Sequence, residues 1–567
     1  MTNIEKNQKI TYDESVVKCC LQKFAKNKEL LPIIDKWVIN LSKIVHRGSL
    51  IINHFLLYYL ENNLDSLIPN LNDQNFFYQA FTIGLNGSTY CPTMNKGLKD
   101  FYTKHEHLYP KLERINGDKQ AIKYLFNQYM VNFSTYLFTT FMKRQKVFVF
   151  EFGKYKELNK EQSYAILCKI NNWKCNVDII FDDETLNFID CQRIILNIKD
   201  EKLDEKHLKN NLNRVLSYQY IMLFHFEMWE SKVFNIAPIY SFERKFITID
   251  IKVLYFMMKE AKIFKGKEKE FTKDKFFEVL DIKKLSKKKL GNIIQTDGIS
   301  LCVHFHTLKK PKKEPKNEII VHEENERVIG IDPGRTNLIY AVEEKDGKFI
   351  PNKLTKKQYY NDSHFTRNNK KIQKWNKEIE ELTTEMAKYS SKTSKVSKYE
   401  QFLLFLIDNL NTLQDLYLQP KFARAKMDNY IHKNKTIDKF LNKFIIKGEK
   451  DPIIAYGAAK FNPTGKGEVA GPTTFLAKKC AKKFKIKFID EFRTTKCCYD
   501  CESELKPMKR GMYDNRGLKC CDSSKCSKFR LKSRDQNSGK NIIRCYKAYP
   551  ERPSYLCRNV THCHMKR

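Results

Sequence analysis

Three acidic residues in the second half of the chain could together bind divalent cations. Asp332 lies in VIGIDPG, Glu491 in FIDEFRTTKCC and Asp535 in KSRDQNSGK. Hard cations such as Mg²⁺ prefer oxygen ligands, and carboxylates supply both the oxygen atoms and the negative charge. Three carboxylates that meet at one point could hold two such ions and hydrolyse a phosphodiester bond. Because the three residues are far apart in sequence, only the fold can bring them together.

Two of these acids also have ordinary structural explanations when each is considered alone. Asp332 is followed by Pro333 and Gly334, and Asp-Pro-Gly favours a turn. Asp535 stands where an acidic residue could cap the start of a helix. The chemical interpretation therefore depends on whether the predicted elements place the carboxylates at one site.

A cysteine cluster between residues 497 and 526 is the most specific chemical signal in the chain. A CxxC pair, a long loop and a second pair of cysteines are typical of a zinc ribbon. Four sulfur ligands would make a closed, structural site. The expected zinc ligands are Cys498, Cys501, Cys521 and Cys526, with Cys520 or Cys497 as alternates.

A further group of possible ligands lies near the end of the sequence, at Cys557, His562, Cys563 and His564. Its spacing is irregular, whereas metal sites in proteins have recurrent ligand spacings. We therefore interpret this group as a tail and not as a second metal site.

The composition predicts a large folded protein with a polyanionic partner. A chain of 567 residues exceeds the size of one hydrophobic core, so two to four domains are expected. The 103 Lys and Arg residues outnumber the 66 Asp and Glu residues, for a formal charge of +37. Such an excess favours nucleic acid as partner, because neutralised phosphates release counterions.

No segment of the sequence predicts secretion or membrane insertion. Residues 1–20 are polar, and the longest apolar stretch, at 50–60, is too short to cross a bilayer and contains Asn53 and His54. We expect an intracellular protein whose 17 cysteines are thiols or metal ligands, because disulfides are rare in that compartment.

The elements that must position the acids begin after two other regions. Residues 13–225 predict helices, as the spacing of Leu208, Leu212 and Leu216 illustrates. Between 231 and 308, alternating apolar residues predict a small β-rich domain. The basic, proline-containing segment 308–316 then predicts a linker.

From residue 327 the pattern predicts three successive strands, with Asp346-Gly347 as the tight turn between the last two. Helices follow to about residue 447, and then come a buried strand at 452–459, a helix starting at Pro472, a strand over FKIKFIDEF and a helix with Asp535 at its start. This order is typical of an RNase H-like α/β fold. Such folds place acids on the first strand, on a central strand and on a late helix.

The middle acid must come from another element, because the strand at 452–459 contains no acidic residue. Neighbouring strands lie about 4.8 Å apart, so an acid at the end of the next strand could reach the site. Alternation places Asp490 and Glu491 on opposite faces, and only one of them can serve. We choose Glu491 for its longer side chain and keep Asp490 as the alternative.

The motifs together resemble the RuvC-type nuclease domain of TnpB proteins and of their eukaryotic and viral relatives, the Fanzor proteins. The resemblance rests on IDPG, the zinc ribbon, and an RDxN motif followed by NI, whose residues are Arg534, Asp535, Asn537, Asn541 and Ile542. DEFRTTK, the tail ERPSYLCR and the segments 237–250 and 296–300 are more similar to Fanzor than to TnpB. Ser538 and Gly539 replace the usual pair of alanines.

The resemblance implies a multidomain α+β architecture. It would comprise a first wedge segment at 1–12, a helical recognition lobe at 13–225, a small β-barrel wedge domain with a basic linker at 226–320, and an RNase H-like (RuvC) nuclease domain at 321–567. The zinc ribbon would be an insertion in this last domain at about 494–530.

The resemblance also implies an RNA-guided endonuclease that binds a guide RNA and cleaves double-stranded DNA next to a short target-adjacent motif. Two catalytic Mg²⁺ ions would be bound by Asp332, Glu491 and Asp535, and one structural Zn²⁺ by the ribbon. The protein would be a monomer in a ribonucleoprotein, nuclear if the host is eukaryotic. The alternatives are an RNase H-like transposase or resolvase that acts without guide RNA, and a nuclease-dead nucleic-acid-binding protein.

Overall fold

The computed structural model describes residues 12–86, 95–175, 179–198, 202–286, 288–308, 326–458, 471–510, 513–526 and 530–558. Internal contacts divide the chain into two units. Unit one comprises residues 1–309 and 375–424, and unit two comprises residues 310–374 and 425–567. The expected first wedge segment, the linker at 308–316 and the histidines of the C-terminal tail lie almost entirely outside the described residues.

Most of the described chain is helical. The α-helices are α1 Leu21–Phe24, α2 Leu30–Glu61, α3 Gln74–Thr82, α4 Lys96–His105, α5 Lys119–Tyr155, α6 Lys160–Asn171, α7 Asp183–Leu196, α8 Glu205–Asn210, α9 Leu212–Met228, α10 Ile251–Glu260, α11 Lys275–Val279, α12 Lys356–Asp362, α13 Phe365–Asn376, α14 Glu380–Met386, α15 Val396–Asp408, α16 Leu410–Tyr417, α17 Pro420–Leu441, α18 Thr473–Lys483 and α19 Arg534–Lys547. Within these ranges, no helix combines the length and apolarity needed to cross a membrane.

The strands fall into two larger sheets and two small ones. They are β1 Tyr12–Cys20, β2 Leu85–Asn86, β3 Leu112–Glu113, β4 Ile247–Ile249, β5 Lys289–Thr296, β6 Ser300–Leu308, β7 Val328–Asp332, β8 Asn337–Lys345, β9 Lys348–Thr355, β10 Ile453–Gly457, β11 Ile486–Ile489, β12 Lys506–Arg510, β13 Tyr513–Cys520 and β14 Leu531–Ser533.

The helices of unit one surround the long helix α2, most of whose apolar side chains are buried. The predicted helix at 204–224 is divided into α8 and α9 at Asn211, whose backbone leaves the helical conformation. Residues 375–424 lie with unit one and not with the rest of the expected nuclease domain. Helix α15 explains this grouping, because it packs on α2 and Tyr399 donates a hydrogen bond to the Leu50 carbonyl at 3.4 Å.

The expected β-barrel is an open sheet in the part of the chain that the structure describes. Its four strands lie in the order β1-β6-β5-β4, and no strand pairs β4 back to β1. The edge strand β4 has only three residues, because Asp250 accepts a hydrogen bond from the Val253 N–H and starts α10 at once. An edge this short presents too few backbone groups to close a barrel. The N-terminal strand of this sheet begins at Tyr12, the last residue of the expected segment 1–12, and continues to Cys20.

Unit two contains a five-stranded sheet in the order β11-β10-β7-β8-β9. The strands β7, β8 and β9 form an antiparallel meander, and β10 and β11 run parallel to β7. The predicted turn at Asp346-Gly347 is confirmed, since both residues have positive φ angles and join β8 directly to β9. The carboxyl ends of β7, β10 and β11 therefore lie along the same edge of the sheet.

Helix α19 packs across this sheet at close range. A Cβ atom on Gly330 of β7 would overlap the carbonyl oxygen of Gly539, and one on Gly539 would lie 3.1 Å from the Cβ of Val342. Two glycines thus allow the helix backbone to approach the sheet, which places the start of α19 beside the end of β7. After β11, the strands β12, β13 and β14 form a separate small antiparallel sheet.

Candidate active site and metal centre

Asp332 is the last residue of β7, and its side chain is buried, with 6% of the residue exposed. Burial raises the pKa of its carboxyl well above the ordinary value, and the negative charges of Glu491 and Asp535 raise it further. The neighbouring Arg534 and a hydrogen bond with Ser538 act in the opposite direction but do not compensate. The three acids of the sequence analysis are therefore close enough to repel one another.

Glu491 follows β11 and turns back toward the end of β10. Gly457, the last residue of β10, pairs with Ile489 of β11. A Cβ atom on Gly457 would lie 2.6 Å from Cδ and 2.8 Å from Cγ of Glu491, and would overlap its carboxylate oxygen. The strand that lacks an acid thus ends in a residue without a side chain, and the Glu491 carboxylate fills the space beside it.

Asp490, the alternative middle acid, has a different partner. Its carboxylate forms an ion pair with Arg558 at 3.2 Å and accepts a hydrogen bond from the Phe492 N–H at 3.1 Å. Burial opposes ionisation, but Arg558 and the Phe492 N–H lower the pKa of Asp490 below its ordinary value. The charges that raise the pKa of Asp332 most are instead those of Glu491 and Asp535.

Asp535 lies in the first turn of α19 but does not cap the helix, because Ser533 occupies the N-cap position. Its two carboxylate oxygens have separate partners. Asn337 Nδ2 donates to Oδ2 at 2.7 Å, and Arg534 Nε donates to Oδ1 at 2.9 Å. These contacts fix the direction of the carboxylate at the end of β7.

Two asparagines of the RDxN and NI motifs hold α19 against the segment that follows Glu491. Asn537 Nδ2 donates to the carbonyls of Thr494 at 3.1 Å and Cys497 at 2.7 Å. Asn541 Nδ2 donates to the same two carbonyls, each at 2.9 Å. Asn537 Oδ1 also accepts from the Tyr499 N–H at 2.9 Å. This asparagine clamp, Asn537 and Asn541, joins the helix that carries Asp535 to the chain between Glu491 and the first CxxC.

The predicted cysteine ligands form one cluster beside this clamp. The sulfur atoms of Cys498, Cys501, Cys521 and Cys526 all lie within 4.8 Å of one another. Burial opposes ionisation of Cys501, yet hydrogen bonds from the Ser503 backbone and the Cys521 thiol lower its pKa to about 7. Four sulfurs at this separation fit a tetrahedral site with Zn–S bonds of about 2.3 Å. The cluster could hold a structural zinc ion.

The two alternate cysteines lie outside this cluster. Cys520 Sγ donates a hydrogen bond to Asp522 Oδ1 at 3.1 Å. Cys497 is buried in the hydrophobic core beside Ile489 and Ile542, where its sulfur accepts from Arg493 Nε at 3.3 Å. Side-chain geometry thus selects Cys521 over its neighbour Cys520.

Sequence reasoning missed two residues that shape the carboxylate site. Gly457 provides the space for Glu491, and Asn337 orients Asp535. The only signal for Asn337 was its place in PGRTN, five positions after Asp332. The carboxylates concentrate hard oxygen donors and negative charge at one point, and such a donor set fits Mg²⁺.

No protein-family model matches the sequence of this chain, and a search of curated proteins found no similar protein.

Proposed function

We propose that this protein is an RNA-guided, Mg²⁺-dependent endonuclease that cleaves double-stranded DNA next to a short target-adjacent motif. The observation that carries the proposal is the convergence of Asp332, Glu491 and Asp535. The charges of the second and third raise the pKa of the first, and all three come from the sheet edge or the adjoining helix. Three carboxylates gathered around the buried Asp332 favour the binding of cations that balance their charge.

The sheet order of unit two supports an RNase H-like, RuvC-type nuclease domain. An antiparallel meander of three strands is followed by two strands parallel to the first, in the order β11-β10-β7-β8-β9. The acids stand at the end of the first strand, after the last strand and in the late helix. The cysteine cluster lies between the second and third acids, in the place expected for an inserted zinc ribbon.

Each residue of the site has a role in this proposal. Asp332, Glu491 and Asp535 would hold the Mg²⁺ ions, and Asn337 and Arg534 orient the carboxylate of Asp535. When bound, two Mg²⁺ ions activate the attacking water and stabilise the charge on the leaving oxygen. The asparagine clamp keeps Asp535 at a fixed distance from Glu491.

The nucleic-acid partners are supported by charge and by the motifs. A formal charge of +37 favours polyanionic partners, and base pairing with a guide RNA would supply the sequence specificity that the carboxylates lack. We propose a monomer in a ribonucleoprotein, which would act in the nucleus of a eukaryotic host.

The decisive experiment is to purify the protein from cells that also transcribe the DNA flanking its gene. The RNA that copurifies is then sequenced. A discrete RNA with a constant scaffold and a replaceable guide is expected. The reconstituted complex should cleave a DNA that matches the guide in Mg²⁺ and should not cleave it when the guide is changed.

Three other results would contradict the proposal in different ways. Strand transfer or junction resolution by RNA-free protein would identify a transposase or resolvase. Tight binding without nicking in Mg²⁺ would identify a nuclease-dead binding protein. Copurification of random cellular RNA alone, with no guide-dependent cleavage, would remove the RNA-guided part of the proposal.

A further inference from the structure

A second group of possible metal ligands lies inside unit one. It consists of His54 on α2, His105 at the end of α4 and Glu400 on α15. His54 is fully buried and His105 is 5% exposed. Glu400 Oε1 lies 3.3 Å from His54 Nε2 and 3.4 Å from His105 Nε2. Three atoms that can all donate electron pairs thus face one point.

Hydrogen bonding at the far side of His105 determines which nitrogen carries its proton. His105 Nδ1 lies 2.8 Å from the Phe101 carbonyl oxygen. A carbonyl can only accept, so Nδ1 carries a proton. Its other ring nitrogen, Nε2, faces the Glu400 carboxylate at 3.4 Å. A neutral ring that is protonated on Nδ1 has its lone pair on Nε2, so either a metal ion or a second proton would have to lie between Nε2 and the carboxylate.

His54 is oriented in a similar way. Its Nδ1 lies 2.8 Å from the hydroxyl of the buried Tyr109, so that Nε2 points toward Glu400. The buried His54 Nε2 makes no well-aligned hydrogen bond among the described residues, and its 3.3 Å contact with Glu400 Oε1 is longer than most such bonds. A buried polar atom with only a long contact calls for a specific explanation.

The distances correspond to metal ligation more closely than to hydrogen bonding. Zn–N and Zn–O bonds of about 2.0–2.1 Å in a tetrahedron separate neighbouring ligand atoms by about 3.3–3.4 Å. The two Nε2–Oε1 distances are 3.3 and 3.4 Å. An N–H···O hydrogen bond is shorter, with a most common length of about 2.9–3.0 Å.

We propose that His54, His105 and Glu400 form a zinc site in unit one, with the fourth position open to water. Imidazole and carboxylate ligands suit Zn²⁺, and ligating histidines commonly use their other ring nitrogen to bind a carbonyl or hydroxyl, as both do here. The Glu400 side chain is 32% exposed and offers the ion a path from solvent. Bound zinc would tie α2, α4 and α15 together.

A second histidine group provides a natural control. His364, Asp428 and His432 in unit two also bring possible ligand atoms together. There, however, Asp428 Oδ2 already accepts hydrogen bonds from Asn368 at 2.8 Å and Arg367 at 3.2 Å. The two rings stack with centroids 3.5 Å apart, and all three residues are partly exposed. This carboxylate has no need of a metal ion.

The test is the zinc content of the purified full-length chain after exhaustive dialysis, measured by mass spectrometry. The parent should hold about two zinc ions per chain, one in the cysteine cluster and one at the histidine site. Glu400→Gln and His105→Gln should each reduce the content to about one, and Asp428→Asn should leave it at two. Equal zinc content in the parent and in both variants would overturn the proposal and indicate an imidazolium–carboxylate ion pair.

Cobalt substitution of the unaltered chain keeps the test valid if the variants do not fold. Co²⁺ in the cysteine cluster gives intense thiolate charge-transfer absorption, whereas an imidazole–carboxylate site gives weaker visible bands without it. A second equivalent of Co²⁺ should add visible absorption with no further charge-transfer intensity. Saturation after one equivalent, with thiolate absorption only, would overturn the proposal.

Discussion

The carboxylate site and the cysteine cluster of unit two are built in opposite ways. The cysteine ligands come from one segment, 498–526, and form their site in the turns and loops that flank the strands of a small antiparallel sheet. The acids come from β7, from the chain after β11 and from α19, and meet only because the large sheet aligns them. A site made of local ligands can be recognised from spacing, whereas one made by topology requires the fold.

The two sites also differ in how many coordination positions of a bound metal ion would remain free. Four sulfurs complete a tetrahedral shell, so the cysteine cluster suits a structural ion. Three carboxylates leave positions for water and substrate. Burial, together with the negative charges of Glu491 and Asp535, raises the pKa of Asp332. The asparagine clamp connects the two sites, because it bonds α19 to the carbonyls of Thr494 and Cys497.

The largest effect is expected when the three acids of the carboxylate site are neutralised one at a time. Asp332→Asn, Glu491→Gln and Asp535→Asn should each reduce Mg²⁺-dependent cleavage by about 10³-fold or more, as loss of a group in a catalytic unit does. Zinc content and RNA binding should not change, because the cysteine cluster and the excess of Lys and Arg residues remain. Initial rates on matched target DNA would measure the effect.

The matched control for the middle acid is Asp490→Asn. This change removes an ion pair with Arg558 and should leave cleavage within about threefold of the parent, because exposed pairs contribute little. Normal cleavage by Glu491→Gln together with an inactive Asp490→Asn would reverse the assignment.

The cysteine cluster is tested by two neighbouring residues. Cys521→Ser should remove about one zinc ion per chain and lower the melting temperature, because metal binding is coupled to folding of the ribbon. Cys520→Ser should change neither, because its thiol only donates to Asp522. Metal analysis and thermal unfolding of both variants decide the matter, and zinc loss in Cys520→Ser alone would contradict the ligand set.

Gly457→Ala should separate the geometry of the acids from their charge. The new methyl group would displace the Glu491 side chain, and a misplacement of about 1 Å can reduce a rate by about 10²-fold. The melting temperature should change little, because the displaced atoms belong to a flexible side chain. Gly517→Ala is the control, since its Cβ would meet only Asn515 Oδ1 at 3.6 Å. Unchanged cleavage by Gly457→Ala would show that Glu491 does not need this space.

The smallest expected effect is a gain in stability from Asp332→Asn in Mg²⁺-free buffer. The pKa of Asp332 is raised in the folded state, so folding favours its protonated form. The parent therefore loses stability as the pH rises above about 4, the unfolded pKa of Asp. The asparagine variant avoids this loss and should melt about 2–4 °C higher at pH 7, with no difference near pH 3. A lower melting temperature at pH 7 would contradict the repulsion.

Local signals explain which features could be predicted from the sequence. Asp346-Gly347 predicts the hairpin between β8 and β9 because this turn needs two residues with positive φ. The CxxC spacing predicts half of a metal site because it brings two thiols close enough to bind one ion. The alternation in FITIDI predicts a strand, but the capping by Asp250 that ends β4 after three residues competes with it. The choice of Glu491 over Asp490 followed from reach across neighbouring strands.

The remaining features depend on contacts between distant segments. Gly457 is significant only because Glu491 lies against it, and Asn337 only because Asp535 is 2.7 Å away. The packing of α15 on α2 likewise arises from tertiary structure. None of these contacts leaves a periodic trace in the sequence around either partner.

The contact between Gly457 and Glu491 limits which substitutions the two positions can accept during evolution. A lineage that gained a larger residue at 457 while keeping Glu491 would crowd the carboxylate, and one that lost Glu491 first would have no middle acid. Substitutions at positions 457 and 491 should therefore occur together. Homologous chains should carry either this glycine–glutamate pair or an acid on β10 with a smaller residue after β11. Chains with neither arrangement should not cleave DNA.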